Sequence, residues 1–110
     1  MTVGVDAALR AIGEPRRRQI LRLVWDAECS SGEIASHFDI TGPAVSQHLR
    51  VLREAGLVNE RREGTRHLFS ADRQALRQLR DQLAWMWDEG LAELKQAAEK
   101  EAGRARRRGG

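Results

Sequence analysis

Apolar residues recur along this chain at helical spacing, interrupted once by a short stretch of strand character. Val5, Leu9 and Ile12 fall at i, i+4, i+7 and predict a first helix over 5–12, closed by Gly13. Glu14-Pro15 restarts a helix that runs to about Asp26; proline is tolerated in a first turn, where its missing N–H has no helical partner anyway. In that helix Ile20, Leu21, Leu23, Val24 and Trp25 are apolar, and Arg16, Arg17, Arg18 and Arg22 lie largely on the other side. After a break at Ala27-Glu28-Cys29, Ser30-Ser31-Gly32-Glu33 has the S-x-x-E spacing of a capping box. It opens a short helix ending near Phe38, with Ile34, Ala35 and Phe38 inward.

Thr41 is the next N-cap candidate, with Gly42 and Pro43 in the first turn. From about Gly42 to Ala55 a stripe of Val45, Leu49 and Leu52 faces inward. The opposite face carries Pro43, Gln47, Arg50 and Glu54, flanked by Ser46 and Arg53, and Gly56 ends the helix. Residues 57–62 and 66–70 read as two strands around Glu63-Gly64-Thr65, a hairpin. A last helix of about 72–101, capped by Asp72, carries Leu76, Leu79, Leu83 and Met86 on one stripe and Trp87, Leu91, Leu94 and Ala98 on an adjacent one. The expected fold is mainly α with a small β-hairpin: about five helices and a two-stranded wing, a winged helix–turn–helix pairing as a homodimer through its first and last helices.

Composition narrows the function classes. The chain has 110 residues, 41% hydrophobic and 32% charged, room for one small domain over 1–102 followed by a disordered Arg-rich tail, 103–110. No apolar run approaches the roughly 18 residues of a spanning helix, and the N-terminus lacks the basic-then-apolar pattern of a signal peptide. With Cys29 as its one cysteine, the chain cannot build an internal disulfide. A reduced, cytoplasmic protein with no membrane partner is expected. The net charge of +3 misleads: Arg104, Arg106, Arg107 and Arg108 carry +4, leaving residues 1–102 at −1. Residues 41–68, with five Arg and three Glu, stand at +2. A nucleic-acid face therefore rests on local clustering, and its non-specific binding is expected to be moderate and salt-sensitive.

GEIASHFDITGPAVSQHLRVLREAGLV followed by ERREGTRHLF resembles the ArsR-type winged-helix transcriptional repressors of bacteria, as does the opening ALRAIGEPRRRQIL. The resemblance covers roughly residues 6–95. It implies a homodimer that binds an inverted-repeat operator in double-stranded DNA and blocks transcription until some signal releases it; the effector is not legible. The chemistry of the residues agrees. A major groove about 12 Å wide admits one helix, and Gln47 can read an adenine edge through two amide hydrogen bonds. Thr41 and Ser46 can donate to a base or phosphate, and Pro43 belongs to the same small, polar helix tip. Arg50 can reach a base or a phosphate. His48, at the edge of the apolar stripe, contacts phosphate or packs at the helix junction. Arg61, Arg62, Arg66 and His67 lie on or near the wing. Arg16, Arg17 and Arg18 form either a solvated face or a phosphate contact at the edge of the site. Leu9, Leu83, Trp87, Leu91 and Leu94 are the candidate dimer contacts, and Trp25, Trp85 and Trp87 read as packing residues.

No cofactor and no metal is expected. One ligand pattern of such regulators places paired cysteines in the third helix, which here reads Gly32-Glu33-Ile34-Ala35-Ser36-His37-Phe38; another places Asp and His along the last helix, where residues 72–102 contain no His or Cys. His37, His48 and His67 belong to three different elements, whereas a transition-metal site needs about three or four converging ligands. No glycine-rich phosphate loop and no nucleophile–base motif points to an enzyme. The alternatives are a thiol- or metal-responsive sensor of the same fold and a dimeric protein-interaction module without a DNA target.

Overall fold

The computed structural model describes residues 4–109, with side chains for residues 4–103. Its elements run α1 (Val5–Ile12), α2 (Pro15–Leu23), β1 (Cys29–Ser30), α3 (Ser31–Ala35), α4 (Gly42–Glu54), β2 (Val58–Glu63), β3 (Arg66–Ala71) and α5 (Arg73–Gly109). Residues up to Leu79 form one compact unit and residues from Arg80 a second.

Local chemistry fixes each corner of the first unit. Glu14 caps α2 by accepting the Arg17 N–H at 3.1 Å. Ser30 and Glu33 close the expected capping box: Ser30 Oγ accepts from the Glu33 N–H at 3.1 Å, and Glu33 Oε1 accepts from the Ser30 N–H at 3.2 Å. Thr41 Oγ1 accepts from the Ala44 N–H at 3.2 Å and starts α4. At the other end of α4, Gly56 has φ 77°, its N–H reaches the Arg53 carbonyl, and the Leu57 N–H reaches that of Leu52. These two bonds are the Schellman arrangement, in which the left-handed residue is ordinarily glycine. Asp72 Oδ1 accepts from the Ala75 N–H at 3.0 Å and starts α5.

The hairpin turns on Gly64-Thr65, with Gly64 at φ 62°, as the first central position of a two-residue primed turn requires. Glu63 is thus a strand residue, facing Arg66, where the sequence placed it in the turn. The two-stranded wing, β2 and β3, is joined along β3 by the short β1, so the sheet has three strands in the order β1-β3-β2, all antiparallel. β1 pairs Cys29 with Phe69 and Ser30 with Leu68. A strand of two residues is too short to leave an alternating pattern, so this one was invisible in the sequence.

The core consists of Ile20, Leu21 and Val24 of the α2 region, Ile34, the α4 stripe of Val45, Leu49 and Leu52, Leu57 and Val58, Leu68 and Phe69, and Ala75 and Leu79. α1 departs from expectation. Its fully buried residues are Ala8 and Ala11, Val5 and Ile12 are half-buried, and Leu9 is 39% exposed. The two alanines thus face the core, and Leu9 faces outward. α2 and α3 end earlier than expected, at Leu23 and Ala35. α5 runs past residue 101 to Gly109; no proline stops it, and Gly103 costs only about 1 kcal/mol against alanine. Residues 103–109, expected as part of a disordered tail, are the last turns of this helix.

In the second unit, Trp85, Met86, Trp87, Leu91 and Leu94 are exposed, and Leu83 is half-buried. Trp25 is also exposed. Trp25 is 39% exposed, whereas Trp85 and Trp87 leave more than half of their surface open. No helix among the described residues is long and apolar enough to cross a membrane.

Leu52 is fully buried. Leu52→Ala is expected to lower stability by about 2–5 kcal/mol in urea titration, through lost burial and the cavity left behind. Gly56→Ala is expected to cost about 1 kcal/mol, because alanine must adopt a positive φ there.

Candidate nucleic-acid interface

With Val45, Leu49 and Leu52 turned into the core, α4 shows solvent a continuous polar face. Thr41, Pro43, Ser46, Gln47, Arg50, Arg53 and Glu54 are all exposed. Thr41 retains a hydroxyl proton to donate, since its cap role uses only the oxygen's lone pair. A cleft of about 290 Å³ runs beside this face, lined by Ser46, Arg50, Arg53, Glu60, His67 and Phe69, among others. Ser46 and Arg50 of the expected reading residues and His67 of the wing thus border one groove.

The register of the hairpin sorts the wing's charges. Arg62 stands opposite His67 and Glu60 opposite Phe69, so these four share one sheet face; Arg61 stands opposite Leu68 and Glu63 opposite Arg66 on the other. On the first face a hydrogen-bonded chain reaches α4. Arg62 lies 3.4 Å from His67 Nε2, His67 Nδ1 lies 2.5 Å from Glu60, and Glu60 accepts from Arg53 of α4 at 2.5 Å. Arginine only donates, so Nε2 accepts and the Nδ1 proton is free for Glu60. On the second face the cations are already paired. Arg61 meets Glu28 at 2.7 Å and Glu63 at 3.2 Å, and Arg66 meets Glu33 at 2.9 Å. Hydrogen bonding from Arg61 holds the Glu28 carboxyl below its ordinary range, and the same contact raises the Arg61 guanidinium further. Among the described residues, Arg50 and Arg62 make no ion pair with a carboxylate.

His48 is turned away from the reading face. Its side chain is 15% exposed and sits against α2, 3.4 Å from Arg17 and 4.0 Å from Glu14. This favours the junction role over the phosphate role. Arg17 and Arg18 are likewise inconspicuous as DNA contacts. Arg17 donates to the Ala11 and Arg10 carbonyls at 2.6 and 2.9 Å, and Arg18 to that of Ile12 at 2.7 Å, so both cap the end of α1. Sequence reasoning missed Glu28, Glu33 and Glu60 as partners of the wing's arginines. Strand parity could have placed Glu60 beside Arg62, but the loop and helix that bring Glu28 and Glu33 close leave no such signal.

Cys29 is half-buried, its thiol near the Leu23 and Ala27 carbonyls at 3.5 and 3.8 Å. Burial pushes its pKa up, and Glu33 adds to the rise, so little thiolate forms at neutral pH. Among the described residues no three His, Cys, Asp or Glu converge on a possible metal position.

Glu60 titrates below the ordinary carboxylate value of 4.5, chiefly through its hydrogen bond from Arg53 and next through that from His67, against an opposing effect of burial. A lowered folded-state pKa adds stability that is fully present above the unfolded value and is lost as pH falls through the folded one. Urea titrations at stepped pH are expected to show stability declining below about pH 4.5, with Glu60→Gln flattening part of that decline. An unchanged acid slope in the variant rules out this contribution.

Residues 14–60 match the family described as "Bacterial regulatory protein, arsR family". The chain is 35% identical over 82 residues to the transcriptional repressor SdpR of Bacillus subtilis, covering 74% of this chain and 88% of SdpR. It is 35% identical over 96 residues to the HTH-type transcriptional regulator Rv2034 of Mycobacterium tuberculosis, covering 87% of this chain and 90% of that protein. Among solved structures, a possible transcriptional regulator for arsenical resistance superposes with a TM-score of 0.67 at 38% identity, over 77% of this chain and 93% of the other. The chain belongs to the ArsR family of bacterial regulatory proteins and is a DNA-binding regulator of transcription with a winged helix–turn–helix fold.

Proposed function

We propose that the protein is a repressor that binds an inverted-repeat operator as a homodimer in the cytoplasm. The observation that carries this reading is the exposed tip and face of α4, with Pro43, Ser46, Gln47 and Arg50 opposite a fully committed apolar stripe. In the proposed complex α4 enters the major groove, Gln47 reads a base, and Thr41, Ser46 and Arg50 meet bases or phosphates. His48 supports the helix from behind. Arg62, which has no carboxylate to release, makes the first wing contact. Arg61 and Arg66 follow by exchanging carboxylates for phosphates, an exchange that exposed ion pairs worth about 0–1 kcal/mol permit.

One such helix reads only a few base pairs, and two presented about 34–36 Å apart read successive major grooves. The partner is a second copy of the chain. Exposed Leu9 on α1, and Leu83, Trp87, Leu91 and Leu94 on α5, are the apolar surface offered to it. In this reading residues 1–102 serve binding and dimerisation. Repression is supported by the relatives named as repressors, SdpR among them. The environment of Cys29 gives a thiol-sensing alternative no support.

Gln47→Ala is expected to cost about 1–3 kcal/mol on the operator and little on random duplex, measured by fluorescence polarisation. Equal losses on both would remove Gln47 from base reading. Arg62→Ala is expected to weaken binding to every duplex and reduce the salt slope by about 1. Trp87→Asp is expected to yield monomer in sedimentation velocity and abolish tight operator binding; a dimer that persists moves the interface elsewhere.

A further inference from the structure

His48 is the one polar side chain of α4 placed between that helix and α2, and it follows directly on Gln47. Its ring meets a guanidinium that is itself immobilised. Arg17 is half-buried, with Nε committed to the Ala11 carbonyl at 2.6 Å, one terminal nitrogen to the Arg10 carbonyl at 2.9 Å, and the other 3.4 Å from His48 Nδ1. The fork thus joins the last turn of α1 to the second turn of α4. Glu14, the cap of α2, accepts the Arg17 N–H through Oε2, and that same oxygen stands 4.0 Å from His48 Nδ1. No other charged side chain among the described residues hydrogen-bonds or ion-pairs with the ring.

We infer that Arg17 is a positioning residue for DNA reading, fixing through His48 the rotation at which α4 presents Gln47. This rests on α4 being the reading helix. The apolar stripe holds α4 to the core but packs through non-directional contacts, which tolerate a small roll about the helix axis. The Arg17–His48 bond is directional and sits on the flank, where it opposes such a roll. A two-bond amide contact to adenine depends on that angle, whereas contacts to phosphate depend on it far less. The chemistry sets a condition on the bond: arginine only donates, so Nδ1 has to be an unprotonated acceptor. A proton on Nδ1 turns it from an acceptor for Arg17 into a donor, and Glu14 is the acceptor within closest reach. The ring then changes partner and α4 loses its fixed angle.

The test uses full-length protein and the duplex that wild-type protein enriches from a randomised library at neutral pH, with a random-sequence duplex as control. The readout is the ratio of the two dissociation constants between about pH 8 and pH 5.5, the range where histidines change charge, at constant ionic strength. The wild-type ratio is expected to fall several-fold with acidification. Effects of His67 on phosphate contacts act on both duplexes and cancel in the ratio. Arg17→Met, which keeps the aliphatic stem, is expected to lower the ratio about tenfold at the upper pH and make it flat, a loss on the scale of one base contact. His48→Asn keeps an acceptor near the Nδ1 position and does not titrate, so it is expected to hold the wild-type ratio at high pH and retain it in acid. If Arg17→Met fails to fold, His48→Asn alone decides. A wild-type ratio flat with pH, an Arg17→Met ratio equal to wild type, or a full acid fall in His48→Asn overturns the inference. A library from which nothing is enriched overturns the assignment of α4 as reader, and this inference with it.

Discussion

Burial of Val45, Leu49 and Leu52 is the constraint from which the exposed polar face of α4, the proposed DNA-facing surface, follows. Three side chains on one stripe, each 3% exposed or less, commit one side of α4 to the core and so leave Ser46, Gln47 and Arg50 no direction but outward. Each buried aliphatic of this size is worth roughly 1.5–3 kcal/mol relative to exposure, far more than any single polar contact on the opposite face can return in water. The helix ends reinforce the commitment. Thr41 satisfies a free N–H at the start, and Gly56 lets the chain reverse so that Leu57 and Val58 drop into the same core. The polar face of α4 is thus shaped by what lies behind it.

Electrostatics then divides the wing's charges between two sheet faces. Strand alternation puts Arg62 on the face shared with His67 and Glu60, joined by hydrogen bonds to Arg53 of α4, and puts Arg61 and Arg66 on the face held by Glu28, Glu63 and Glu33. A cation resting on an exposed carboxylate has a place to return to when DNA leaves. Its pairing also lowers the attraction to any random stretch of phosphates, because the carboxylate must first be displaced. Local charge of +2 over residues 41–68 overstates the field that an approaching duplex first meets, since Glu28 and Glu33, outside that stretch, sit against Arg61 and Arg66. Specific contacts along α4 gain relative weight from that restraint.

Much of this was legible in the sequence because it rests on local rules. The α4 stripe, the Ser30–Glu33 box, the caps at Thr41 and Asp72, and the glycine of the hairpin each involve residues three or four apart, and each is found where spacing put it. What spacing could not supply was contact between distant segments. β1 exists only because Phe69 and Leu68 lie alongside Cys29 and Ser30. α1 buries Ala8 and Ala11 while Leu9 faces outward, an orientation that eight residues alone do not supply. His48 was balanced between two roles until α2 supplied the neighbours that decide between them. Arg17 read as one member of a triplet that was either a solvated face or a phosphate contact, and a helix's own periodicity carries no trace of a guanidinium folding back over the preceding turn.

The second unit bears on the same question from the other side. Trp87, Leu91 and Leu94 are all more than 60% exposed, and with Leu83 they keep to one side of α5 by the three- and four-residue rule. Trp85, two positions from each of Leu83 and Trp87, lies roughly on the far side. A stripe of large apolar residues left in water is costly, and a lone regulator gains nothing from it. A reading helix with only a few base-contacting side chains does gain from a second copy, because the sequence information in one half-site is too little to select an operator from a genome. The exposed apolar surface of α5 and the limited reading capacity proposed for α4 would both be answered by the same event, the proposed association of two chains. That shared resolution is why the proposed dimer is a requirement of the proposed function and not an addition to it.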